Sequence, residues 1–146
     1  MTIEEALSGV SRLFLDTAPV VYLIERNPDF IDRVKPIFAR LDRDIIGVVS
    51  PITLAECLVY PIKQGLTDLE QIFTEMMTGK SIDFVPTDIK IAKIAATIRA
   101  KYNFQLPDSI QIATAISSDC DAFLTNDVAL ARVTEIRAIV VSKLSK

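Results

Sequence analysis

At 146 residues the chain is long enough for one domain with a sizeable core and too short for two. Half of its residues are hydrophobic, which excludes a disordered chain; it has no histidine, which excludes a Ser-His-Asp triad, a Cys-His pair and a His-ligated zinc. A net charge of −3 argues against a uniformly basic nucleic-acid coat while leaving room for a local basic groove.

Thr2-Ile3-Glu4-Glu5 has capping-box spacing, so a short helix over 3–10 is expected ahead of the domain proper. The apolar run Leu13-Phe14-Leu15 predicts a buried strand over 12–16 that closes on Asp16. Thr17-Ala18-Pro19 then turns the chain, with Pro19 suited to the first position of a helix over about 19–26 that buries Val20, Val21, Leu23 and Ile24. Asn27-Pro28-Asp29 breaks that helix. Phe30, Val34, Ile37, Phe38 and Leu41 mark the next one, over 29–43. A strand over 45–49 leads to Ser50-Pro51, which caps a helix running to about 64 and ended by Gly65. This helix reads as buried nearly all round, with Glu56 the only charge in nine residues. Thr67-Asp68-Leu69-Glu70 opens another helix, which stops at Gly79. A short strand over 82–85 meets Pro86 and suits a sheet edge. Thr87 caps a helix over 88–102 with Ile91, Ile94, Ala95 and Ile98 inward, and after a loop over 103–107 a further helix starts at Asp108. A strand over 122–126 ends at Asp127, followed by a short helix over about 128–132 and a last strand over 138–141. Strands alternating with helices predict a three-layer α/β/α domain on a five-stranded, mostly parallel sheet.

Four acids stand in apolar company. Asp16 and Asp127 each close a buried strand, and in open α/β sheets ligands bind outside the carboxyl ends of the strands. Glu56 lies within Ile52-Thr53-Leu54-Ala55-Glu56-Cys57-Leu58-Val59-Tyr60, and Asp108 follows Leu106-Pro107 ahead of an apolar helix. Taken singly, each aspartate is also explained as a helix cap or first-turn acid, and Glu56 as a surface acid. Taken together they are sent toward one end of the sheet, where four carboxylates do not all stay ionised without cations. An all-oxygen set fits Mg²⁺ or Mn²⁺ rather than zinc. Such an ion activates water and clamps a phosphodiester, so no histidine base is needed. Cys57 and Cys120 show no metal spacing and read as small buried apolar residues in a reducing cytosol. No signal-peptide pattern opens the chain, and no run reaches the ~18–20 apolar residues of a membrane span, so a soluble cytoplasmic protein is expected.

Four segments carry a resemblance: Phe14-Leu15-Asp16-Thr17-Ala18-Pro19-Val20-Val21-Tyr22-Leu23-Ile24-Glu25, Ser50-Pro51-Ile52-Thr53-Leu54-Ala55-Glu56, Leu106-Pro107-Asp108-Ser109-Ile110-Gln111-Ile112-Ala113-Thr114-Ala115, and Phe123-Leu124-Thr125-Asn126-Asp127. In this order and spacing the chain resembles the PIN-domain nucleases, most closely the VapC-type toxins of bacterial toxin–antitoxin pairs. The resemblance implies a single PIN domain over 12–146 with residues 1–11 as an extension. It implies a Mg²⁺- or Mn²⁺-dependent endoribonuclease whose four acids are Asp16, Glu56, Asp108 and Asp127. Asp16 and Asp108 are expected as direct metal ligands, with Glu56 and Asp127 binding directly or through water. Thr125 and its neighbour Asn126 are expected to orient an acid, the water or the substrate, and Thr17 to be a structural cap. An RNA substrate, a cognate antitoxin in a groove beside the acids, often with a basic side chain near them, and a homodimer are the implied partners. Lys90, Lys93, Arg99 and Lys101 are available either to RNA or simply to solvent. Two other function classes stay open: a catalytically silent PIN-like interaction module and a phosphoacceptor signalling domain. A phosphohydrolase with an Asp-x-Asp nucleophile is disfavoured, because Ala18 stands at the second aspartate position.

Overall fold

A computed structural model describes residues 1–145. The apolar runs form five strands, β1 (Arg12–Leu15), β2 (Ile46–Val49), β3 (Ile82–Phe84), β4 (Ala122–Thr125) and β5 (Arg137–Val140). They lie in one sheet of order β3-β2-β1-β4-β5, and every ladder is parallel. Helices α1 (Ile3–Ala6), α2 (Thr17–Ile24), α3 (Ile31–Ala39), α4 (Pro51–Gln64), α5 (Thr67–Met77), α6 (Ile89–Tyr102) and α7 (Leu106–Ser117) complete the three layers.

The two-residue period of each strand divides the core. On one face Leu13, Leu15, Val49 and Leu124 pack with Ala6, Leu7, Val34, Ile37, Phe73 and Met77 beneath α1 to α5. On the other, Phe14, Val48 and Phe123 pack with Ile98, Ile112 and Ala115 of α6 and α7. Phe14 and Phe123 are register partners across β1 and β4, with rings stacked 5.3 Å apart. Burial of each such ring stabilises the sheet by roughly 1.5–3 kcal/mol. From β1 the chain moves outward through β2 and β3, then returns to the other side of β1 for β4 and β5. The order therefore reverses between β1 and β4, and at such a switch point a crevice opens at the carboxyl ends of the strands.

Several boundaries differ from the sequence reading, each for a local reason. Asp16 caps α2, which therefore begins at Thr17 and leaves Pro19 at the third helical position, where a missing N–H is still harmless. Of the residues expected to be buried on α2, Val20 is fully so and Val21, Leu23 and Ile24 are half-buried. The cap of α6 is Asp88, whose Oδ1 accepts from Ile91 N at 2.8 Å, rather than Thr87. Helix α7 starts two residues early, at Leu106, so Asp108 sits inside its first turn. The second helical pattern yields α3 followed by a 3-10 turn over Arg40–Asp42. The N-terminal helix is a single turn, after which Leu7 and Val10 enter the core. The largest departure is α4. It is not buried all round: Thr53, Cys57 and Pro61 face inward, while Ala55, Glu56, Val59, Tyr60, Ile62 and Lys63 are exposed. Cys57 is buried and Cys120 half-buried; both are free thiols that burial pushes up to about 12, so neither is reactive at neutral pH. Among the described residues no helix is long and apolar enough to cross a membrane.

Candidate active site

The end of the sheet at the switch point collects the acids. Asp16 follows β1 directly and Asp127 comes two residues after the last residue of β4, because a charge ends a strand that is buried on both faces. Asp108 is brought in by the first turn of α7 and Glu56 by the second turn of α4. Hydroxyls link three of the four. Thr125 Oγ1 donates to Asp16 Oδ2 at 2.8 Å and accepts from Asp127 N at 3.1 Å. The other oxygen, Asp16 Oδ1, accepts from Thr17 N at 2.9 Å, and Thr17 Oγ1 donates to Glu56 Oε1 at 2.6 Å. A continuous path thus runs from Glu56 through Thr17, Asp16 and Thr125 to Asp127.

Asp108 joins them through space. Burial, and then the charges of Asp16, Asp127 and Glu56, push its carboxyl from 3.8 up to about 6. Asp16 is 9 % exposed. Burial raises its carboxyl above the ordinary range and the charge of Glu56 adds to this, while the hydrogen bonds of Thr125 and Thr17 and the nearby Gln111 amide pull it down. Among the described residues no lysine or arginine forms an ion pair with any of the four acids. The described residues leave this negative charge without a paired cation.

Behind the acids lies a buried polar floor. Ser50 caps α4, its Oγ accepting from Ile52 N at 3.0 Å, and Thr53 returns the bond by accepting from Ser50 N at 3.3 Å. Gln111 Nε2 donates to Thr53 Oγ1 at 2.8 Å, Ser50 Oγ donates to Gln111 Oε1, and Thr53 Oγ1 donates to Leu15 O at 3.3 Å. This network ties β1, α4 and α7 together directly beneath the carboxylates.

The donor set is all oxygen, which suits a hard divalent cation. Among the described residues no three acid or thiol side chains gather tightly enough to wrap an ion by themselves. Mg²⁺ ordinarily keeps several waters and takes only one or two carboxylates directly, so it does not require such a wrap. Asn126 is occupied at both ends: Nδ2 donates to Tyr22 OH at 3.0 Å and Oδ1 accepts from Ser142 N at 2.8 Å. On α6, Lys90 and Lys93 are exposed, whereas Arg99 donates to Phe104 O at 2.5 Å and Lys101 pairs with Glu135 at 3.2 Å. Thr17, expected only as a structural cap, opens α2 behind the Asp16 cap and also holds Glu56. Two residues of the site escaped the sequence reading: Thr53 and Gln111 carry the floor, and the signal for Gln111 was its place three residues after Asp108, as the one long polar side chain in an apolar stretch.

The PIN domain model matches residues 13–136. No curated protein matches the sequence. Among solved structures, the chain is similar to VapBC2 of Rickettsia felis, bound to a DNA fragment from its promoter, with a TM-score of 0.70 and 16% identity over 88% of this chain and 98% of that one. It is similar to a toxin–antitoxin complex of Klebsiella pneumoniae, TM-score 0.70 and 21% identity, covering 89% and 97%. It is also similar to Mycobacterium tuberculosis VapC20, a sarcin-ricin loop cleaving toxin, TM-score 0.68 and 12% identity, covering 86% and 98%. These likenesses establish a shared fold, and the family match spans the strands and helices that deliver all four acids. The chain belongs to the PIN-domain family.

Proposed function

We propose that the chain is a divalent-metal-dependent endoribonuclease, the cytoplasmic toxin of a toxin–antitoxin pair, acting as a homodimer. One observation carries this reading. Asp16, Glu56, Asp108 and Asp127 meet at the switch point of the sheet, with Asp16 buried and, among the described residues, no lysine or arginine paired to any of them. Asp16 and Asp108 would hold a Mg²⁺ or Mn²⁺ ion directly, with Glu56 and Asp127 holding it directly or through its water. When bound, the ion lowers the pKa of water and offsets charge on a phosphodiester. The chain's own work is positioning. Thr125 and Thr17 fix both oxygens of Asp16, so the carboxylate enters the reaction without reorganising. The Ser50–Thr53–Gln111 floor holds α4 and α7 in register, so Glu56 and Asp108 keep their places relative to it. Hydrolysis on this plan leaves a 5′-phosphate and a 3′-hydroxyl. RNA as substrate is supported by the neighbour that cleaves the sarcin-ricin loop, and an antitoxin partner by the neighbours solved as toxin–antitoxin complexes.

The test is cleavage of end-labelled total RNA by purified protein in Mg²⁺. Cleavage is expected to vanish with EDTA and in Asp16→Asn and Asp108→Asn, with circular dichroism unchanged. Cleavage that survives EDTA or Asp16→Asn would overturn the assignment.

A further inference from the structure

Among the described residues one buried side-chain polar atom has no hydrogen-bond partner: Nε of Arg33, on α3. The residue is half-buried, and no carboxylate pairs with its guanidinium, although Asp29 and Asp32 stand close in the chain and are exposed. Its Cζ lies 5.8 Å from the centroid of the Phe30 ring, within reach of a cation–π contact. The ring attracts the charge but replaces no hydrogen-bond acceptor. A buried N–H without an acceptor is costly, and the water that satisfies exposed Lys90 and Lys93 does not reach this one. An acceptor that arrives with a ligand explains such an arginine. The planar fork of Nε and a terminal nitrogen matches an anion that offers two oxygens at once.

Position decides which anion. Arg33 ends a row of side chains that starts at the acids. Asn126, next to Asp127, donates from Nδ2 to Tyr22 OH at 3.0 Å. The Tyr22 ring stacks on Phe30 with centroids 4.6 Å apart, and Phe30 carries Arg33. The acids have no paired lysine or arginine among the described residues, so a polyanion bound there needs an anchor further along. Between residues 25 and 35 the acids Glu25, Asp29 and Asp32 are matched by Arg26, Arg33 and Lys35, so the surroundings carry no net repulsion for it.

We propose that Arg33 is a phosphate-binding residue, its Nε and one terminal nitrogen clamping two oxygens of a single RNA phosphate on the strand that leads from the acids past Tyr22 and Phe30. Phe30 sets the guanidinium beneath that phosphate, and Asn126 ties Tyr22 to the loop that carries Asp127. The contact fixes how RNA lies across the site. The scissile phosphate stays with the four acids. The choice of RNA as the anion rests on the nuclease reading above; the unsatisfied fork does not.

The test is fluorescence anisotropy of a short labelled single-stranded RNA of mixed sequence, in EDTA and over a range of salt, so that binding is read without cleavage. Arg33→Met is expected to weaken binding about tenfold. It should also lower the slope of log affinity against log salt by about 0.7, the contribution of one phosphate contact on a single strand. Arg33→Lys keeps the charge without the fork, and should keep the slope while recovering only part of the affinity. Because Met retains the stem and removes the unsatisfied N–H, Arg33→Met is expected to melt no lower than wild type. RNA affinity and slope unchanged in Arg33→Met, no RNA binding by wild type, or a melting temperature well below wild type would each overturn the proposal. So would affinity for a labelled polyglutamate peptide that falls in Arg33→Met while RNA binding holds, which would give the fork to an acidic protein. RNA held through Arg33 yet left uncut in Mg²⁺ would sink the nuclease reading and leave this site standing.

Discussion

Replacing Asp108 by Asn should inactivate the site and stabilise the fold, and the structure sets the size of the gain. Burial and then the charges of Asp16, Asp127 and Glu56 move this carboxyl from 3.8 up to about 6. A gap of that size corresponds to about 3 kcal/mol of penalty on the ionised form. Asp108 is only half-buried, so solvent screening reduces this to about 1.5 kcal/mol. Against it stands the favourable position of a negative charge in the first turn of α7, about 0.3–1 kcal/mol, which Asn gives up. The penalty on the ionised form, burial first and repulsion second, wins, and the variant should be about 1 kcal/mol more stable at pH 7.5. The pH dependence follows from linkage. Between 3.8 and about 6 the folded wild type holds a proton that the unfolded chain releases, so its stability falls as pH rises through that window and is constant above it. The advantage of the variant should therefore be full above about pH 6 and gone by about pH 4. Urea unfolding of both proteins in EDTA, at pH 7.5 and pH 4, measures it. A variant less stable than wild type at pH 7.5, or a margin independent of pH, would refute the account of the site as crowded, uncompensated charge.

Three further outcomes are expected. Thr125→Val removes the hydroxyl that donates to Asp16 and should destabilise the fold by about 1.5–3 kcal/mol while slowing RNA cleavage, with Thr125→Ser restoring most of both. Because the Asp16 carboxyl then rises further, the stability loss should be largest above its folded-state pKa and shrink as pH falls through it, which urea titrations across pH would show. Millimolar Mg²⁺ should stabilise wild type by about 1.4 kcal/mol at tenfold excess over its dissociation constant, seen as a higher melting temperature in differential scanning calorimetry, and leave Asp16→Asn unmoved. Gly47→Ala should cost about 1–3 kcal/mol in chemical denaturation with catalysis preserved, since its new methyl would lie 2.6 Å from Ile82 Cδ1, 3.1 Å from Leu15 Cδ1 and 3.2 Å from Leu41 Cδ1.

The strands were the legible part of the fold. Leu13-Phe14-Leu15 and Phe123-Leu124 are buried on both faces, and only a central parallel strand tolerates apolar side chains in both directions. Helix starts were less legible, for a shared reason. Asp16, Asp88 and Gln105 each precede their helix, but neighbouring prolines and threonines compete for the same role in the sequence. Pro19 and Pro107 tolerate the second or third helical position as well as the first, because the first four N–H groups have no partner inside the helix. Composition therefore signals that a helix begins nearby without naming its first residue.

Helix α4 shows where pattern reading stops. Leu54-Ala55-Glu56-Cys57-Leu58-Val59-Tyr60 is apolar on every side, and such a helix ordinarily lies inside a protein. In the folded chain only the side bearing Thr53, Cys57 and Pro61 is covered. Hydrophobicity records that a surface is withdrawn from water, and is silent on whether the cover comes from the same chain or another. The single acid in the run is the informative residue. Were the helix an internal one, Glu56 would be a buried charge needing a cation from its own chain. Instead it accepts a hydroxyl from Thr17, and its surroundings are acidic. In the folded chain that acid is exposed and held by the Thr17 hydroxyl, so the run is a half-covered helix and not a core one. The same reasoning connects the exposed face to the acids, since the residue that begins the apolar strip is also a member of the site.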